Sequence, residues 1–290
     1  MRVVRDESKT TRYALVTGGS SGIGLETARG LSSRFDVVGI VGRNAERLAD
    51  AAKELRSSAM GRIETFQADF SSLPEVRRLA ADIKSRFHSL DVLVNNAGVW
   101  HKERKLSKDG YEETFAVNHL AHFLLTNELK DTLVAGTRAR VVNVSSSMHV
   151  RPKSLNWDDL MFEERWRGFW VYGHSKLANV LFSNELARRW KKLGITSNAL
   201  NPGNVRSRIT RNNVFLNALH RSPFARVVVM SEADGAKTSV HVATAPELEG
   251  ITGRYFDKVR EAKPSKPSAD EEAARRLWEL SQELVDTATR

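Results

Sequence analysis

The chain has 290 residues, 41% of them hydrophobic, and no cysteine; one large buried core is affordable, and disulfides, a thiol nucleophile and cysteine-ligated metal are excluded. Its net charge is +10, but the basic residues mix with acids along helical stretches, as in Lys53-Glu54-Leu55-Arg56, and no basic run with interleaved aromatics marks a nucleic-acid surface. Met1 to Arg12 lacks the apolar centre of a secretory leader, and no apolar stretch approaches the roughly 18 residues of a membrane span, so a soluble, cytoplasmic protein is expected.

Residues 1–10 read as a flexible tail. The first strand is Tyr13–Thr17, followed by Gly18-Gly19-Ser20-Ser21-Gly22-Ile23-Gly24 and a helix over 22–33. Strand, glycine turn, helix is the setting in which a backbone can approach a pyrophosphate and a helix N-terminus can face it. The pattern therefore marks Gly18, Ser20, Ser21, Gly22, Ile23 and Gly24 as dinucleotide contacts.

The second strand, Val37–Gly42, ends in Gly42-Arg43-Asn44 and leads into a helix over 45–57. An NAD-binding chain often carries an acid at this strand end. Glycine stands there, followed by an arginine able to fork onto a phosphate. Arg43, with Asn44 beside it, points to a 2′-phosphate and hence to NADP(H) over NAD(H). Alternatively, Arg43 is the polar start of the next helix.

Strands Ile63–Gln67 and Val92–Asn95 frame a helix over 73–87, and a helix over 110–135 follows. A fifth strand, Val141–Ser145, runs into Ser145-Ser146-Ser147. If the strand continued, alternation would put Ser146 on the face opposite Ser145 and Ser147. An aromatic-rich insert, 148–170, holds Trp157, Phe162, Trp166, Phe169 and Trp170, which with Trp100 either line an apolar pocket or fill core. A helix is read over 173–193; if the segment from Tyr172 is helical as well, Tyr172 and Lys176, four residues apart, lie on one face. A cation beside a phenol favours its ionised form, so Lys176 is expected to lower the Tyr172 pKa for acid–base work. The rest reads as a strand at Thr196–Leu200, an irregular insert at 206–230, a helix over 232–244 and a short strand near Arg254–Phe256. Beyond them come a loose stretch at 260–270 and an amphipathic helix over 271–287.

In order, Thr17 to Gly24, Asn95-Asn96-Ala97-Gly98, Asn118, Ser145-Ser146-Ser147, Tyr172 to Lys176 and Pro202-Gly203 resemble the short-chain dehydrogenase/reductase family over residues 11–257. The run Tyr172-Gly173-His174-Ser175-Lys176-Leu177-Ala178-Asn179 resembles the branch of retinol dehydrogenases and WW-domain oxidoreductases. The alternation of strands and helices argues for a parallel sheet, and the resemblance implies an α/β fold: a single-domain Rossmann-type doubly wound parallel sheet of about seven strands with helices on both faces; beyond it, 258–290 reads as a C-terminal tail and helix. It makes 206–230 a substrate-side lid. It puts Asp69 and Phe70 beside the adenine, although Asp69 alone reads equally as a helix cap. It puts Asn96, Ala97 and Gly98 on the cofactor, with Asn95 a brace, and Pro202, Gly203 and Val205 near the nicotinamide. Alignment selects Ser146 over Ser147 as the catalytic serine, in a set with Asn118, Tyr172 and Lys176. Asn118 would bend its helix and hold a water beside Lys176; its alternative is a polar residue capping a kink.

The expected activity is NADP(H)-dependent hydride transfer between nicotinamide and a fairly apolar carbonyl or alcohol. The competing reading is an NADP(H)-binding sensor or scaffold on the same fold; the intact catalytic set weighs against it, and the short chain weighs against an epimerase or dehydratase. The histidines lack metal-ligand spacing, His174 faces away from Tyr172, and no Gly-x-Ser-x-Gly elbow supports a hydrolase. A small-molecule substrate is the expected partner, and a homo-oligomer is compatible with the sequence.

Overall fold

A computed structural model describes residues 11–205 and 230–288. The expected tail 1–10 and, apart from Met230, the insert 206–230 lie outside the described residues. The order is β1 (Tyr13–Thr17), α1 (Gly22–Ser32), β2 (Val37–Gly42), α2 (Ala45–Arg56), β3 (Arg62–Gln67), α3 (Leu73–Arg86) and β4 (Val92–Asn95). Next come α4 (Glu113–Phe115), a π-helical turn (Ala116–Leu120), α5 (Ala121–Glu128), α6 (Lys130–Val134), β5 (Arg140–Val144) and α7 (Gly168–Trp190). The chain continues through β6 (Thr196–Asn201), α8 (Glu232–Thr244), β7 (Tyr255–Asp257), β8 (Arg260–Glu261) and α9 (Glu271–Thr287).

The strands form one sheet in the order β3-β2-β1-β4-β5-β6-β7-β8, parallel throughout except for the antiparallel β7–β8 pair. Every residue of β1 and β2 is buried, which is why both read as near-continuous apolar runs: helices cover both faces. Alternation divides the side chains between two cores. Leu15, Leu93 and Val141 pack with Phe123, Leu177, Leu181 and Phe182 on one face. Val16, Ile40, Val94 and Val142 pack with Ala28, Leu31, Leu48 and Val242 on the other. The chain leaves β1 toward β2 on one side and returns to β4 on the other, so the crevice of this doubly wound sheet opens at the carboxyl ends of β1 and β4.

Among the described residues the sheet has eight strands where about seven were expected. The extra one, β8, pairs Asp257 with Arg260 across a two-residue turn, Lys258-Val259, whose φ angles are 48° and 65°. That geometry suits a tight hairpin but normally selects Asn-Gly, so the sequence carries no sign of it. Residues 260–270 are accordingly not loose: β8 is followed by a 3₁₀ turn at Lys266–Ala269.

The long helix expected at 110–135 is broken. It starts at Glu113, widens into the π turn around Asn118 and stops at Leu129 before α6. Asn118 explains the widening. Its Oδ1 accepts from the Val99 N–H (2.7 Å) and its Nδ2 donates to the Val99 carbonyl (3.0 Å), tying the helix to the turn after β4. Helix α7 begins at Gly168, five residues before the expected start at 173, so Tyr172 lies within the helix. Glycine is required at its first position: a Cβ there would lie 2.3 Å from the His101 carbonyl oxygen and 3.0 Å from the Trp100 indole nitrogen.

Candidate active site

A cavity of about 580 Å³ opens along the carboxyl edge of the sheet. The glycine turn forms one wall. Gly18 has φ +68°, and a Cβ on Gly24 would sit 2.3 Å from the Gly18 carbonyl oxygen and 2.5 Å from Asn96 Nδ2. Only glycine lets α1 start this close to the β4 turn. Gly18, Ser20, Ser21, Gly22, Ile23 and Gly24 all line the cavity.

The expected residues from the other strand ends join them: Arg43 and Asn44 after β2, Asp69 and Phe70 after β3, Asn96, Ala97 and Gly98 after β4, Pro202, Gly203 and Val205 after β6. The Asn44 side chain caps α2 by accepting from the Arg47 N–H. Arg43 is 68% exposed, and its nearest acid, Asp69, is 4.0 Å away. Asp69 is not a helix cap; Ser72 caps α3. Its Oδ1 accepts instead from the Ser71 N–H and hydroxyl. Burial opposes ionisation of Asp69, but the Ser71 bonds, Lys108 and Arg43 outweigh it and hold the carboxyl below its usual range.

Asn95 points away from the cavity and braces the sheet. Its Nδ2 donates to Thr126 Oγ1 (3.0 Å) and to Asn143 Oδ1 (2.9 Å), and Asn143 Nδ2 donates to Ser197 Oγ (3.1 Å).

Tyr172, Lys176 and Ser146 meet on the β5 side of the cavity. The strand ends at Val144, so the alternation expected through Ser147 does not apply. Ser145 is buried and donates to the Lys176 carbonyl (2.8 Å). Ser146 faces the cavity, interacts with the Tyr172 phenol and accepts from the Met148 N–H (3.2 Å). Ser147 also reaches the cavity wall and starts a 3₁₀ turn, Ser147–Val150, its N–H bonded to Asn201 Oδ1.

Lys176 Nζ lies 5.6 Å from the Tyr172 ring centroid and donates to the Val144 carbonyl at 3.1 Å. Burial pushes the Lys176 ammonium down to about 8. The expected lowering of Tyr172 is not met in the protein alone. Burial pushes the phenol up to about 12, against the smaller pull of the Ser146 hydroxyl.

Asn118 is the one member of the expected catalytic set that does not reach the cavity wall. It lies fully buried behind Gly98, and its Nδ2 also donates to Ser175 Oγ (3.0 Å).

The role of Thr17 was not legible from its place in the chain. Its Oγ1 accepts from the Asn96 and Ala97 N–H groups, each at 2.9 Å, and lies 3.0 Å from His122 Nε2. His122 Nδ1 faces the Asn118 carbonyl at 3.1 Å; a carbonyl only accepts, so Nδ1 carries the proton and Thr17 donates to Nε2. Burial pushes this imidazole down to about 3 and keeps it neutral. Arg47 was also missed, although it lines the cavity from the first turn of α2; its spacing of four from Arg43 was the available signal.

The aromatic insert is divided. Phe162 is core, whereas Phe169 lines the cavity and stacks on Trp100 (4.8 Å between centroids, 27°). His174 packs against Phe162 and Trp170, away from the cavity. Among the described residues, no cluster of His, Asp or Glu could hold a metal ion, and no helix is long and apolar enough to cross a membrane.

Known proteins resemble this chain in sequence and in fold. The short chain dehydrogenase model matches residues 12–215. Mouse retinol dehydrogenase 12 is 39% identical over 277 residues, covering 94% of this chain and 86% of that protein. The chicken WW domain-containing oxidoreductase is 37% identical over 294 residues, covering 98% of this chain and 70% of that protein. A short chain dehydrogenase from Burkholderia cenocepacia, solved in complex with NADP, superposes with a TM-score of 0.68 at 26% identity, covering 85% of this chain and 95% of that one. Fold, sequence match and relatives agree, and the chain belongs to the short-chain dehydrogenase family.

Proposed function

We propose that the chain is an NADP(H)-dependent oxidoreductase acting on an apolar aldehyde or ketone, or on the corresponding alcohol. The observation that carries this reading is the meeting of Tyr172, Ser146 and Lys176 in the same cavity as the glycine turn and Arg43.

The choice of NADP(H) is supported at the end of β2. A Cβ on Gly42 would lie 3.0 Å from Ser20 Oγ, so an acid has little room there. The exposed Arg43 guanidinium, with Arg47 on the same wall, suits a 2′-phosphate. The Burkholderia relative was solved with NADP. The apolar substrate class is supported by Val99, Trp100, Met148 and Phe169 in the lining.

When bound, the nicotinamide supplies or accepts the hydride. Tyr172, which burial keeps protonated, gives its proton to the substrate oxygen in the reductive direction. The Ser146 hydroxyl hydrogen-bonds that oxygen and stabilises its developing charge. Lys176 sits where its ammonium can exchange the Val144 carbonyl for the nicotinamide ribose and favour the phenolate. Asn118 holds the π turn against Val99 and so fixes the floor behind Gly98.

The test is NADPH oxidation with a panel of retinal, nonanal and benzaldehyde, run beside NADH. Turnover of at least one aldehyde with preference for NADPH is expected. Tight NADPH binding with no turnover of carbonyls or of the matching alcohols would favour the sensor reading instead.

A further inference from the structure

His149 sits in the 3₁₀ turn directly after Ser146 and is 2% exposed. Two of its groups converge on one atom: the Ser146 carbonyl oxygen lies 2.7 Å from the ring Nδ1 and 3.1 Å from the His149 backbone nitrogen. On the far side of the ring, Nε2 lies 3.0 Å from the Ser265 backbone nitrogen.

The partners fix the tautomer. A carbonyl only accepts and a backbone N–H only donates, so Nδ1 holds the proton and Nε2 the lone pair. The Tyr255 ring packs against the imidazole at 4.8 Å, with its hydroxyl 3.4 Å from Nδ1.

Ser265 is itself anchored. Its carbonyl accepts from Ser268 Oγ (2.6 Å), and the Ser268 carbonyl accepts from Asn184 Nδ2 on α7 (2.8 Å). A line of hydrogen bonds thus runs from α7, which carries Tyr172 and Lys176, through the segment beyond β8, across one imidazole and into the peptide of Ser146. That segment lies beyond the residues matched by the family model.

We propose that His149 is a positioning residue for Ser146: its imidazole clamps the Ser146 peptide to the Ser265 segment and so aims the serine hydroxyl at the substrate oxygen. The inference rests on the role given to Ser146 under the proposed function. His149 is not among the residues that line the cavity. It acts only through the serine, and no other side chain offers a donor and an acceptor on opposite sides of a ring of this size.

The test compares H149F, H149N, H149Q, S146A and the S146A/H149F double variant. The probe is NADPH with whichever aldehyde of the panel turns over fastest; amide exchange at Ser265 is followed in the same proteins. H149F should lower kcat by about tenfold or more, with the NADPH Kd and aldehyde KM changed less than about threefold. H149N retains a donor for the Ser146 carbonyl and should recover most of the rate. H149Q retains an acceptor for the Ser265 N–H and should keep that amide protected from exchange, whereas H149F should lose the protection.

In the S146A background, H149F should remove nothing further. An H149F loss as large in S146A as in the native chain would overturn the proposal while leaving the reading of Ser146 intact. Native rates in S146A would overturn both. If H149F does not fold, H149N and H149Q in the two backgrounds carry the same comparison: a loss from either that persists without Ser146 overturns the proposal.

Discussion

Lys176 Nζ donates to the Val144 carbonyl at 3.1 Å, tying α7 to the last residue of β5. The bond engages one of the three donors of a buried ammonium and does not offset its loss of water, since burial still brings the group from 10.5 down to about 8. A native pKa below the unfolded one means the unfolded chain binds more protons between those values. Stability should therefore rise as pH goes from about 8 toward 10.5 and be lower throughout the range below 8. Lys176→Met, which cannot carry the charge, should melt higher than the native chain at neutral pH, with the gap closing above pH 8. Thermal melts of both proteins across that range check it; a gap independent of pH would show that packing, not charge burial, is responsible.

Tyr172→Phe removes one oxygen from a ring that otherwise stays packed. General acid catalysis contributes about 10²- to 10⁴-fold, and turnover should fall by at least that order while NADPH still binds. Single-turnover hydride transfer from pre-bound NADPH is the measurement. Near-native rates would remove Tyr172 from the chemistry.

Arg43→Ala deletes an exposed guanidinium that lies 4.0 Å from Asp69. Hydrogen bonds to charged groups are worth about 1.5–3 kcal/mol, so NADPH affinity should drop roughly tenfold to a hundredfold and NADH affinity should hardly move. Parallel calorimetric titrations decide it. Equal losses for both cofactors would assign Arg43 to the fold of α2 rather than to a phosphate.

Asn118→Ala leaves the Val99 N–H and carbonyl without their partners. An unpaired group costs about 1–3 kcal/mol when fully buried; Val99 is half-buried, so the urea midpoint should fall by less than that full cost, but measurably, even without cofactor. A midpoint unchanged from native would mean that the π turn closes into ordinary helix and that the backbone groups find each other or water.

The sheet was legible because its central strands, β1 and β2 above all, are buried on both faces and therefore apolar from end to end, and most strand boundaries fall within one residue of expectation. The glycine turn was legible for a different reason: no residue with a Cβ fits at Gly24. What stayed hidden was set by long-range contact. The π turn depends on Val99, which is 19 residues from Asn118. The start of α7 depends on the crowding of Gly168 by Trp100 and His101. Thr17 and His122 looked like an ordinary strand end and an ordinary buried histidine until the fold brought them within 3.0 Å. The upward shift of Tyr172 was hidden too, because spacing shows that a cation is near but not how much water both groups lose.

The shortest strand in the sheet has an influence beyond its two residues. β8 ends the sheet in Arg260 and Glu261, both exposed, and a charged strand this short offers an incoming chain almost nothing to pair with. Cutting the chain after Asp257 would bare β7 with its Tyr255 and Phe256, and would also take away α9, whose Trp278 seals Phe123 and Phe182. A protein trimmed to that point should therefore precipitate by edge-to-edge association, making the final hairpin a guard on colloidal behaviour as much as a part of the fold.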